Sequence, residues 1–176
     1  MDTEAALATL RMVAIDRLVG RHVGSDRLIR VGLEALLAGA DAPSLPPLAG
    51  LTSAEEPDAQ ELFDRVAAEL ELVPHDLPVL PVPRAWALVR WWAKLIVEGT
   101  LDVRTGGDYI YWHGWPAVPD AESGPLKPLI SSIVQREDVA DSWAVWDAEY
   151  STKRRDADAR VIEEARAFLM GMPGDR

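Results

Sequence analysis

The sequence predicts an all-α fold: a single domain over residues 1–176, with seven or eight helices around a central one near 84–98. Three observations carry this prediction. Apolar residues recur at helical spacing through most segments. Capping residues and glycines bracket those segments. Residues 84–98 are apolar in nearly every direction, as a helix packed on several sides must be. A chain of 176 residues can bury roughly 70% of its unfolded surface, so it needs neither metal nor disulfide for stability.

The first helix is expected from Asp2 or Thr3 to Val19, with Asp2 and Thr3 as cap residues. Leu7, Leu10, Ala14 and Leu18 form its inner stripe. Ser25 can cap a second helix, 26–38, that buries Leu28, Val31, Ala35 and Leu36. Ser44-Leu45-Pro46-Pro47-Leu48 reads as one helical turn. A helix over 57–72 turns Leu62, Val66 and Leu70 inward and an acidic face outward. Residues 73–83 hold four prolines, which predicts extended connecting chain that buries Leu77, Val79, Leu80 and Val82. In the central helix, Arg90, Lys94 and Glu98 form a narrow polar stripe. The next segment has two readings. Asp102 can cap a short helix ending near Trp112, or Gly106-Gly107 can turn a hairpin near 103–115 leading to a strand over 109–112. Helices resume over 126–135, 138–150 and 155–170, with Glu137 and Asp138 as caps of the middle one.

Composition removes several classes of function. There is no cysteine, hence no disulfide, zinc-thiolate site, iron–sulfur cluster or cysteine nucleophile. The acidic start Met1-Asp2-Thr3-Glu4 does not resemble a signal peptide. No run of about 18 apolar residues spans a membrane. The cytoplasm is the expected location. The net charge of −11 predicts repulsion from nucleic acid. The acid is concentrated: residues 51–83 carry eight acids and one base.

No catalytic, cofactor-binding or metal site is expected. His22, His75 and His113 have no second ligand at helical spacing. Asp138 and Asp141 can share a helix face, yet no cleft-forming pattern accompanies them. The serines lack a nucleophile-elbow context. Gly106-Gly107 is not part of a phosphate loop. Seven tryptophans are read mainly as core. Tyr109, Tyr111, Trp112, His113 and Trp115 are the exception, a candidate aromatic ligand cleft just before a proline-rich loop. Glu55, Glu56, Asp58, Glu61, Asp64, Glu69 and Glu71 form a candidate acidic surface for a basic protein partner, since Arg65 is the one base near them in sequence.

Leu48-Ala49-Gly50-Leu51, Glu61-Leu62-Phe63, Trp92-Ala93 with Ile96-Val97, Gly99, Leu101-Asp102, Gly106, Ile110 and Trp112 together resemble small acidic actinobacterial proteins of unknown function. The resemblance spans about residues 30–115. It implies a helix from Asp102 to Trp112 and implies no activity. The leading expectation is therefore a non-catalytic interaction or regulatory module, an immunity- or antitoxin-like role being one instance. The alternative is a small-molecule binder or enzyme using the Tyr109–Trp115 cleft.

Overall fold

The structure, a computed structural model, describes residues 2–142 and 149–171. Among these it contains eight α-helices and no strand. They are α1 (Thr3–Leu18), α2 (Ser25–Leu37), α3 (Leu45–Ala49), α4 (Glu56–Glu69), α5 (Pro81–Val97), α6 (Val103–Tyr109), α7 (Lys127–Ser142) and α8 (Tyr150–Gly171). The chain divides into two compact units, residues 1–76 and 77–176, each with its own core.

In the first unit, α1 starts where Asp2 accepts a hydrogen bond from the Ala5 N–H, satisfying one of the unpaired donors of the first turn. Its inner face carries Ala6, Leu10, Val13, Ala14 and Ile15. Ala6, Leu10, Val13 and Ala14 pack with Leu28 and Val31 of α2, Leu45 and Leu48 of α3, and Phe63 and Val66 of α4. Gly32 lets α3 approach α2 closely, because a Cβ there would lie 2.7 Å from Leu48 Cδ2. Two expected caps act differently. Ser25 donates to the Ser53 carbonyl instead of capping α2. Ser44 gives both its N–H and its hydroxyl to Glu69, fastening α3 to the end of α4. At that end Glu71 sits at φ 49°, the left-handed position where glycine is usual.

The second unit is organised around α5, which packs against α6, α8 and the π-helical segment Ile110–Gly114. The helix starts three residues earlier than expected. Pro81 and Pro83 fall in its first turn, where a missing N–H removes no helical bond. Val79 and Leu80 just before it are 95% and 68% exposed, against the expectation that they would be buried. Trp92 is fully buried and stacks on Tyr109 with ring centroids 5.7 Å apart. Trp86 stacks on Phe168 of α8 at 6.1 Å.

The hairpin reading of 103–115 is corrected. Asp102 caps α6 by accepting from the Arg104 and Thr105 N–H groups, and helix continues through Gly106-Gly107. Those glycines serve close packing, not a turn. A Cβ on Gly106 would lie 2.5 Å from Ile96 Cγ1, and one on Gly107 3.3 Å from Ile133 Cγ2. The break expected between 135 and 138 is also absent. Helix α7 runs through Glu137 and Asp138, so neither caps a new helix. Helical spacing of Val139, Trp143, Trp146 and Tyr150 predicts a stripe on the 138–150 helix, of which Trp143 and Trp146 lie outside the described residues. No described helix is long and apolar enough to cross a membrane.

Candidate functional site

Two helices and a π-helical segment build a cleft of about 280 Å³ in the second unit. One wall is Asp108 at the end of α6, with Tyr111 and Trp112 from the π-helical segment. The other is Ile133, Val134, Glu137 and Asp138 of α7. The geometry follows from the packing beneath it. Ile110 and Gly114 are buried, and a Cβ on Gly114 would collide with the Val89 side chain and approach Trp92. With these residues and Tyr109 facing inward, Trp112 is turned outward and is 65% exposed. Its ring meets Tyr111 edge to face at 4.9 Å, which limits the orientations it can adopt. On α7, Ile133 and Glu137 are one helical repeat apart, as are Val134 and Asp138. Ile133 anchors the wall in the core, and Val134 is 40% exposed.

The electrostatics are one-sided. Burial, then the nearby Glu137, push the Asp108 carboxyl above its usual range, with Arg104 and Arg136 acting in opposition. Arg136 is 5% exposed and lies between two acids, with Nε 2.9 Å from Asp158 and Nη1 2.6 Å from Glu137. Burial disfavours its charge. The hydrogen bonds and charges of Asp158 and Glu137 outweigh that and hold the guanidinium above its ordinary value. The cleft therefore presents three carboxylates, one partly compensated by Arg136, around an exposed indole and a valine. Carboxylates beside an aromatic face are suited to holding an organic cation.

Of the expected aromatic cleft, Tyr111 and Trp112 are brought together in this wall. Tyr109 is in the core against Trp92, with His113 beside it at 6.2 Å. Trp115 is half-buried at the start of a 3-10 turn, Trp115–Ala117. Sequence reasoning missed Asp108 and Val134, and assigned Glu137 and Asp138 to a helix cap. The available signal was the helical spacing of Ile133, Val134, Glu137 and Asp138, obscured by a misplaced helix boundary.

The expected acidic surface lies on α4 and at its two ends in the first unit, and most of its carboxylates have intramolecular partners. Asp64 is gripped by Arg17 of α1 through Nε and Nη2. Glu61 pairs with Arg65 one turn on. Glu69 accepts from Ser44. Glu55 accepts from the Thr52 N–H and hydroxyl, bonds that hold its carboxyl below the usual range. Glu56 lies 3.6 Å from His22. The carboxylates of Asp58 and Glu71 are exposed and make no hydrogen bond or ion pair among the described residues. Among the described residues, no group of three or more His, Asp or Glu is placed to hold a metal ion.

The chain matches no protein-family model, no curated protein and no solved structure.

Proposed function

We propose that this chain is a non-catalytic binding module whose 77–176 unit grips a basic segment of a protein partner, with an arginine side chain entering the Trp112 cleft. The observation that carries this reading is Trp112 itself, two-thirds exposed on the wall facing Glu137 and Asp138. An indole left in water forgoes apolar burial that a partner can restore. Apolar contacts ringed by charge are the usual anatomy of an interface centre, and tryptophan is enriched among residues that dominate binding energy. Arginine suits the site better than lysine. Its flat guanidinium stacks on the indole face while its fork meets a carboxylate. An incoming cation would offset the cost of keeping the Asp108 carboxyl charged where burial and Glu137 raise its pKa.

A cleft of about 280 Å³ lies at the lower edge of the range for small-molecule sites, about 300 to 1,000 Å³, and suits one side chain or a free cation of similar size. A small cation such as argininamide is the second reading, supported by the same aromatic and acidic walls. An immunity- or antitoxin-like protein that masks a basic partner in the cytoplasm is one instance of the first. The test titrates hexa-arginine and argininamide into the full chain at about 0.15 M salt, following tryptophan fluorescence and calorimetric heat. The reading expects hexa-arginine to bind and Trp112→Ala to weaken it about tenfold, a loss of about 1.4 kcal/mol. Asp58→Asn with Glu71→Gln removes as much charge as two cleft acids and should leave affinity unchanged. Affinity that follows net charge alone, indifferent to Trp112, refutes the proposal. Equal affinity for argininamide and the peptide selects the small-molecule reading.

A further inference from the structure

The 1–76 unit contains a second cleft, of about 590 Å³, whose character is the reverse of the first. Residues 1–76 hold 14 acidic and 6 basic residues with His neutral, yet the cleft rim is Arg17, Arg21, His22 and His75. Asp64 is the one carboxylate among its lining residues. Its floor is apolar, with Leu18, Ala68 and Val73 backed by Phe63. Two of the unit's six arginines and both of its histidines meet at this one concavity, Arg17 paired with Asp64 and Arg21 with Asp16.

The two arginines are held in place. Arg17 places Nε 3.1 Å from Asp64 Oδ1, and Nη2 2.7 and 2.8 Å from its two oxygens. Its guanidinium carbon lies 5.8 Å from the centre of the Phe63 ring. The fork is thus fixed on two sides, and Nη1 has no acceptor among the described residues. One turn further on, Arg21 is anchored through Nη1 to Asp16, a buried carboxylate 2.9 Å away. Gly20, at φ 83°, makes the turn that carries Arg21 and His22 past the end of α1. Groups already ordered lose little entropy on binding.

We propose that this cleft binds an organic carboxylate with an apolar body, the carboxylate meeting Arg17 and Arg21 and the body covering Leu18, Ala68 and Val73. Guanidinium–carboxylate hydrogen bonds are charge-assisted and directional. The volume lies within the range of small-molecule sites, about 300 to 1,000 Å³. This site is in a different unit from the Trp112 cleft and does not depend on it.

The test is calorimetry on the full chain with three probes: 2-naphthoate, 2-naphthamide (the same body without charge) and acetate (the same charge without a body). Naphthoate is expected to bind, and the other two at least about tenfold more weakly. Arg21→Gln, a substitution at a half-exposed side chain, should weaken naphthoate about tenfold, and Arg17→Gln likewise. Arg30→Gln on α2, outside the cleft, should not change it. Circular dichroism checks folding, and Arg21→Gln decides the matter if Arg17→Gln unfolds. The proposal is overturned if naphthoate gives no binding up to about 10 mM, if naphthamide binds within about twofold of it, or if Arg21→Gln binds like wild type.

Discussion

Replacing Trp92 by alanine tests whether α5 is the centre of the second unit. The side chain is fully buried and stacked on Tyr109. A buried aromatic of this size removes about 150–250 Å² from water. At about 25 cal/mol per Å² that is about 4–6 kcal/mol. One term acts the other way. The indole N–H is buried and finds no acceptor among the described residues, so deleting it returns about 1–3 kcal/mol of desolvation cost. The expected loss for Trp92→Ala is therefore about 1–5 kcal/mol with a midpoint of about 3, at the lower end of the range for large core aromatics. Trp92→Phe keeps most of the area and removes the orphan donor, so it should cost about 1 kcal/mol or less. All seven tryptophans fall between residues 86 and 146, so fluorescence during urea denaturation reports on the 77–176 unit. A loss below about 1 kcal/mol for Trp92→Ala would remove α5 from the centre of that unit. A loss for Trp92→Phe well above about 1 kcal/mol would refute the role given to the N–H.

Three further outcomes are expected. Asp108 has its carboxyl pKa raised by burial and by Glu137. Its contribution to stability is full below the unfolded value, about 3.9, and is lost as pH rises through the folded value. Asp108→Asn should therefore raise the melting temperature at about pH 7, with the gain fading toward about pH 4; a variant less stable than wild type at neutral pH contradicts this. Glu71→Gly should stabilise the first unit by about 0.5–1 kcal/mol, because glycine relieves left-handed strain but loses more backbone entropy. Far-UV circular dichroism is the readout, since residues 1–76 contain no tryptophan. Gly106→Ala should cost about 1–2 kcal/mol despite the better helix propensity of alanine, because its Cβ meets Ile96. The cost should shrink in an Ile96→Ala background, and additive losses would show the contact to be unimportant.

The all-α class was legible because helical periodicity and caps are local signals. Asp2 and Asp102 act as read, each accepting from N–H groups of its own first turn. Errors arose where a local signal had a tertiary use. Gly106-Gly107 looks like a turn in sequence, but the absence of side chains lets α6 approach α5 and α7. Ser44 looks like a cap and instead ties α3 to Glu69. The acids of α4 looked unpaired because the base that grips Asp64, Arg17, is 47 residues away. The Trp112 wall was half legible. Aromatic residues before a proline loop drew attention to Tyr111 and Trp112, but spacing within one segment cannot show that Glu137 and Asp138 of another helix share their cleft. Nor could it show which aromatic faces inward. That choice follows from the approach of Gly114 to Val89.

The central claim is that the Trp112 cleft, not the acidic face of α4, meets a basic partner. Chemical-shift mapping of the isotopically labelled full chain during a hexa-arginine titration compares the two surfaces in one experiment. The account predicts that the largest shifts fall on Asp108, the Trp112 indole N–H, Val134, Glu137 and Asp138, and that in Trp112→Ala those of the remaining residues need about tenfold more peptide. Shifts concentrated on Asp58, Glu61, Asp64 and Glu71, with the Trp112 indole unmoved, would contradict it.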